Sequence, residues 1–401
     1  GDGSGDVFFH LDPLWADPNI DFVAIDNYLP LSDWRDGDDH LDALTGWQGP
    51  HQTAYLQANI EGGEGFDWFY ASSADRISQT RTAITDGAGK PWVFRPKDLR
   101  NWWSQPHINR PGGVESGGAT AWVPGSKPIR FTEAGAPCVD RGTNQPNVFV
   151  DPKSSESLLP HFSRGWPDEF IQRRYAEALI GYWANPANNP AASLYSGRMI
   201  ETAEIALWTW DARPFPAFPA RRDVWSDAEN WRLGHWLTGR AGATGLAELV
   251  AELCSRAGLA PTDLDVTDLA GSVPGFAVNA IESPRASIET LARLFGFDAF
   301  EAEGKIRFRM RGQRPVATIT LDTLVAASRE AEDLELTRAQ ETELPLALKW
   351  RLMARDEEFA GITVEARRIT VDTARISAEQ LPIASTSGAA ERGVRRALFE
   401  A

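Results

Sequence analysis

Hydrophobic and polar positions are arranged differently in the two parts of this chain. Over the first 240 or so residues, short apolar runs end abruptly in polar residues. Three stand out: "DFVAIDNY" (Asp21–Tyr28), "KPIRFTEAG" (Lys127–Gly135) and "AEIALWTWDARP" (Ala203–Pro214). Each is nearly continuously apolar, which suits a strand buried on both faces. Helical patterns lie between them. "ASSADRISQTRTAITDG" (Ala71–Gly87) has Ser/Asp start signals and a glycine stop. "DEFIQRRYAEALIGYW" (Asp168–Trp183) puts Phe170, Ile171, Tyr175, Ala178, Leu179 and Tyr182 on one stripe, with Pro167 just ahead. Strands alternating with helices predict an α/β fold, with a parallel barrel as the leading candidate. Three strands are too few to close a barrel of eight. The expectation is therefore an incomplete barrel in a chain that starts partway through its domain.

The pattern changes near Gly239-Arg240-Ala241-Gly242, which divides the chain into residues 1–239 and 240–401. The second part reads as α+β. "GLAELVAELCSRAGL" (Gly245–Leu259) and "SIETLARLFGF" (Ser287–Phe297) are amphipathic helices. "FDAFEAEGKIRFRM" predicts a hairpin turning at Glu303-Gly304, with Ile306, Phe308 and Met310 alternating with basic residues. Leu346–Ala354 and Gly361–Val371 read as strands, and "AAERGVRRALFEA" as a terminal helix without a stop, so this domain is expected to continue past the last residue.

Composition narrows the functional classes. With 401 residues and 42% hydrophobic, the chain can build two or three cores. A formal net charge of −16 argues against an electrostatic grip on nucleic acid or anionic lipid. No apolar run approaches the roughly 20 residues that span a bilayer. The two cysteines, Cys138 and Cys254, form no disulfide framework, and the six histidines include no close ligand pair, so neither a structural metal nor a cofactor is expected. Fifteen of the 16 tryptophans precede residue 240. Flat aromatic faces beside carboxylates suit carbohydrate, and tryptophan is equally ordinary core material.

In a parallel barrel the chemistry sits at the carboxyl ends of the strands. Glu133, Asp26 and Asp211 each occupy that place on a candidate strand. Glycoside hydrolysis needs two carboxylates across the scissile bond, roughly 5–5.5 Å apart for retention and 6.5–9.5 Å for inversion. Glu133 is the first candidate; Asp26 could instead cap a turn and Asp211 could pair with Arg213. The acidic loop Ser32–Asp42 lacks the spacing of a calcium loop and reads as solvated. "EGGEG" (Glu61–Gly65) reads as a turn, and Cys138 as a packed thiol.

Several long segments carry a family resemblance: "DFVAIDNYLPLSDWRDG", "FRPKDLRNWWSQPHINRPGGVESG", "KPIRFTEAGAPCVDRGTNQPNVFVDPKSSES", "DEFIQRRYAEALIGYW" and "WTWDARPFPAFP". Together, over roughly Asp6 to Leu237, they resemble the TIM-barrel-like domain of the gene transfer agent host-specificity family, the large tail-tip or baseplate proteins also called megatron proteins. The segment from about Gly245 onward resembles the phage-tail domain that follows it there. The resemblance implies a structural, host-facing component of a virus-like particle tail, assembled in the bacterial cytoplasm and acting at the surface of the recipient cell during DNA delivery. It implies a homo-oligomer, a trimer, beside hub, distal-tail and peptidase proteins, and contact with envelope polysaccharide. It implies no sequence-specific nucleic-acid binding. The barrel is similar to glycoside hydrolases, which makes Glu133 the counterpart of their nucleophile and gives Asn27, Tyr28, Trp102, Trp208 and Trp210 substrate-binding roles. The acid/base residue of such enzymes belongs to a strand upstream of this chain. The alternative is an active, retaining hydrolase of capsule or peptidoglycan; a third reading is a barrel kept as a spacer.

Overall fold

The computed structural model describes the chain except residues 1–4, 152, 211, 215–216, 229, 238–241, 313–314, 316, 325–339, 358 and 371–372. It divides into two compact units, residues 1–241 and 242–401.

The first unit is built around two parallel strands. β1 (Val23–Asn27) runs beside β2 (Ile129–Ala134), with Val23 opposite Ile129 and Asn27 opposite Ala134. Ile25 pairs with Phe131 but Asp26 with Glu133, so Thr132 is the extra residue of a bulge. Helix α1 (Glu169–Ala184) covers one face of this pair. Its Tyr175, Ala178, Leu179 and Trp183 join Val23, Ile129 and Phe131 in one apolar cluster. The stripe read from the sequence is therefore the buried face. Asp168 caps the helix by accepting the Ile171 N–H at 3.1 Å, and its other oxygen meets His51 at 2.7 Å.

Two expectations are corrected here. First, the strands are buried on one face only: Ala24, Asp26 and Thr132 are exposed while their neighbours Val23, Asn27 and Phe131 are buried. Continuous apolarity reflected the ends of the runs more than a second covering layer. Second, the third apolar run is no regular strand. Residues 199–208 lie along β2 through isolated bonds: Ile129 N–H to Met199 O at 2.7 Å, Ala206 N–H to Phe131 O at 2.9 Å and Trp208 N–H to Ala134 O at 2.8 Å. A 3₁₀ turn at Thr202–Glu204 breaks the ladder, and Glu201 beside it pairs with the Arg130 guanidinium. Among the described residues no barrel closes; the unit is an incomplete α/β barrel.

The predicted helix over Ala71–Gly87 forms only at Ser73–Ser78. Gln79 takes a left-handed φ of 56° and ends it. The cause is the buried Asp33 carboxylate, which draws in Gln79 Nε2 at 2.9 Å, Arg81 at 2.9 Å and the Tyr70 hydroxyl at 2.6 Å. Satisfying that charge outweighs two further turns of a polar helix.

The second unit is α+β. Helices α2 (Leu246–Arg256) and α3 (Pro284–Phe295) precede the hairpin of β3 (Phe297–Ala302) and β4 (Lys305–Met310). Glu303 and Gly304 make its turn with φ of 54° and 71°. β4 also pairs in parallel with Leu264–Asp265, so this sheet has three strands with β3 at its edge. A four-stranded sheet follows. β5 (Ala347–Ala354) lies between antiparallel β6 (Ala360–Arg367) and parallel β7 (Ile376–Ser385), and β7 pairs with Gly275–Phe276. Helix α4 (Ser387–Glu400) completes a core containing Leu246, Leu291, Phe308, Trp350, Ile383 and Val394. Gly296 ends α3 at φ 76°, and Arg396 of α4 fills the space a side chain would need. Its guanidinium donates to the carbonyls of Arg293, Leu294 and Phe295 at 2.9–3.0 Å.

Candidate functional site

The carboxyl ends of β1 and β2 bring Asp26, Asn27, Tyr28 and Glu133 together. Asp26 and Glu133 are register partners across the sheet. The Tyr28 hydroxyl, just past β1, donates to Glu133 Oε2 at 2.8 Å. Burial, reinforced by the Glu133 carboxylate and then by Asp26 and Tyr175, pushes the Tyr28 hydroxyl far above the ordinary tyrosine range. Tyr28 is therefore a fixed donor, and it pins one oxygen of Glu133. Asp26 points to the open face, where it accepts the Thr132 hydroxyl at 2.9 Å. Asn27 is buried, and its Oδ1 takes the Leu29 N–H at 3.3 Å, so it shapes the turn that carries Tyr28.

The floor of this corner comes from Tyr175, on the stripe read for α1, and from residues that local patterns did not mark. Tyr175 of α1 donates to Asn27 O at 3.2 Å. His235 stands edge-on to the Tyr28 ring with centroids 5.3 Å apart. Its Nε2–H donates to Pro146 O at 2.6 Å, and burial lowers its pKa to about 4, so the ring is neutral. Gln172 bonds the carbonyls of Ala136 and His235 at 3.1 and 3.2 Å, tying α1 to the segment beyond β2. No local spacing signals these contacts, because each partner arrives from a distant part of the chain.

Trp208 borders the same strand end. Its N–H bonds Ala134 O, and its own carbonyl comes so close to Gly135 that a Cβ there would stand 2.6 Å away. That is why a glycine follows the carboxylate strand. The Trp208 and Trp210 side chains are 48% and 72% exposed, which no core role requires. Trp102 lies elsewhere. It packs edge-on against Trp15 and tilted against Trp122 around the buried His107–Asp12 pair, on a cavity of about 420 Å³ that Val23 and Ile25 also line. Asp211 lies outside the described residues. Arg213 forms a two-pronged pair with Asp227 at 2.9 and 3.0 Å.

Chemically, the strand ends present one pinned carboxylate and one exposed carboxylate, with exposed Trp208 bonded alongside. Cys138 and Cys254 are free and buried, and among the described residues no group of three or more His, Cys, Asp or Glu could hold a metal. No helix among the described residues is long and apolar enough to cross a membrane.

Residues 1–219 match the model of the GTA TIM-barrel-like domain, and residues 283–401 that of a putative phage tail protein. A chain in a solved structure described as the virion of a native gene transfer agent (GTA) particle is 35% identical over 44% of this chain, with a TM-score of 0.39. The match spans 39% of that chain. No curated protein matches. The first family model covers more than half of the chain, so this protein belongs to the GTA TIM-barrel-like family, carries a phage-tail domain after it, and is a structural component of a gene-transfer-agent or phage-type tail.

Proposed function

We propose that this chain works at the distal tail or baseplate as a host-facing, megatron-type component, and that the strand ends of its first unit bind cell-surface glycan before DNA delivery. The observation that carries the reading is the placement of exposed Trp208 beside the end of β2, next to a Glu133 held by Tyr28. An indole face takes the apolar side of a sugar ring, and a pinned carboxylate accepts its hydroxyls. Hub, distal-tail and peptidase proteins as neighbours, and a trimeric state, follow from the family reading.

Hydrolysis of capsule or peptidoglycan is the second reading, favoured by the Tyr28–Glu133 bond, which orients a nucleophile. It needs a proton donor facing Glu133. Asp26 is exposed and accepts a hydroxyl proton, an arrangement suited to binding rather than to acid catalysis. Titrating the protein with the strand expected upstream of this chain included, against recipient-cell envelope polysaccharide and peptidoglycan and while following reducing ends, separates the two. Binding that weakens about tenfold or more in Trp208→Ala, with no reducing ends from wild type, supports the glycan-binding role. Cleavage abolished by Glu133→Gln establishes the hydrolase, and absence of binding to either polymer removes both readings.

A further inference from the structure

We propose that the open edge of β3 and the facing side of α3 form a groove that takes an extended segment of another tail protein as an added strand. The inference rests on the chain's place in a tail and is independent of the glycan reading.

The groove has a volume of about 920 Å³. Five consecutive residues of β3, Phe297 to Glu301, line it. A cavity on one face of a sheet touches alternate residues, as this one does at Ile306 and Phe308 of β4; the unbroken run along β3 shows that it also extends to that strand's edge, where main-chain groups are offered. The opposite wall is one side of α3: Arg285, Ile288, Glu289, Ala292 and Arg293 recur at helical spacing. Leu259 and Ile306 also line it, giving an apolar interior. A strand edge facing a helix across an apolar cleft is the geometry of strand addition.

The register says which groups are available. Arg311 N–H donates to Gly296 O at 2.8 Å, and the two-residue turn closes on Ala302 and Lys305. Antiparallel bonding alternates, so Asp298, Phe300 and Ala302 bond inward to β4. The N–H and C=O groups of Ala299 and Glu301 then face outward, and no strand pairs with them among the described residues. Natural edges are usually closed by proline, a bulge or charged side chains. β3 has neither proline nor bulge, Arg311 neutralises one of its two carboxylates, and its Phe300 is 46% exposed.

Charge distinguishes the occupant. β3 carries Asp298 and Glu301 and no base. Asp298 is matched by Arg311 at 2.6 and 2.8 Å, and Arg311 also serves Glu400. Glu301 forms no ion pair among the described residues. Two copies of β3 laid edge to edge would bring two uncompensated Glu301 carboxylates to one seam and supply no base to meet them. The fitting occupant is a foreign extended segment, apolar at alternate positions, with a Lys or Arg opposite Glu301.

The test compares amide hydrogen exchange of the full chain, free and in assembled tails. The amides of Ala299 and Glu301 are expected to exchange freely in the free chain and at least about tenfold more slowly in the particle. Ala299→Pro removes one outward N–H without touching the β3–β4 ladder. It is expected to lower incorporation into particles about tenfold, the effect of losing roughly one hydrogen bond, while Ala299→Val incorporates normally. Unchanged exchange in particles that contain the chain overturns the proposal and leaves the tail assignment standing. Protection that appears in the concentrated free chain together with a dimer also overturns it, in favour of a second copy. Particles that assemble fully without the chain overturn the tail role itself.

Discussion

Tyr28 fixes Glu133 through one hydroxyl, and removing that hydroxyl tests whether position matters. Tyr28→Phe keeps the ring against His235 and loses only the 2.8 Å bond. Thermal stability should fall by about 1 kcal/mol, while glycan affinity, measured by titration calorimetry, should fall more than that loss predicts if orientation of Glu133 matters. His235 beneath it governs acid sensitivity. Its pKa falls from 6.5 in the unfolded chain to about 4, because burial disfavours the charged ring. Between those values the unfolded chain holds a proton that the folded chain does not. The contribution of His235 should therefore decline by about 3 kcal/mol as pH drops from 6.5 to 4, and carboxylates held below their usual range, Asp33 and Glu177 among them, carry the loss of stability on to lower pH. Burial also lowers His40 and His161, which act in the same direction. His235→Gln should flatten the largest part of the decline in pH-dependent thermal melts. At this scale the sequence marked Glu133 and Asp26 because a polar residue ending an apolar run is a local signal, whereas Tyr28 entered only through the family resemblance. It could not separate Trp102 from Trp208: both are indoles in a tryptophan-rich stretch, and only packing shows which one is wet.

Elements with a strong period were legible, and those set by distant charge were not. The stripe of α1 and the alternation of β4 survive because burial repeats at the helix or strand period. The helix over Ala71–Gly87 stops at Ser78 because Asp33, some forty residues earlier, claims Gln79 and Arg81. Asp33→Ala should cost about 3 kcal/mol by denaturant titration, since it leaves the buried Arg35 without its carboxylate and Arg81 with Asp42 alone, at 2.9 Å. β7 escaped notice because Pro382 interrupts it. In the fold, the β5–β7 register shifts between Arg351 and Met353, opposite this proline, while Pro382 O still accepts the Ala277 N–H at 2.9 Å. A proline at a bulge removes no ladder bond, so a residue that argues against a central strand is accommodated inside one.

At the scale of the whole molecule, each unit holds its own apolar core. Leu291 is fully buried in the second. Leu291→Ala should destabilise that unit by about 2–5 kcal/mol and leave the unfolding of the first unchanged, which calorimetry with unit-specific exchange probes resolves. The shift in composition near residue 240 announced two kinds of architecture, but it could not show that the barrel-like sheet lies open.

That openness has a consequence for how such a tail could change over generations. Along β1 and β2, residues 23, 129 and 131 are locked by the core, whereas residues 24, 26 and 132 meet solvent beside the strand-end carboxylate. Mutation can explore every second position of the same two strands without disturbing the other. On the glycan-binding role proposed above, a lineage shifting from one recipient to another would find its freedom there, in substitutions that alter the exposed face and leave the scaffold that carries it intact.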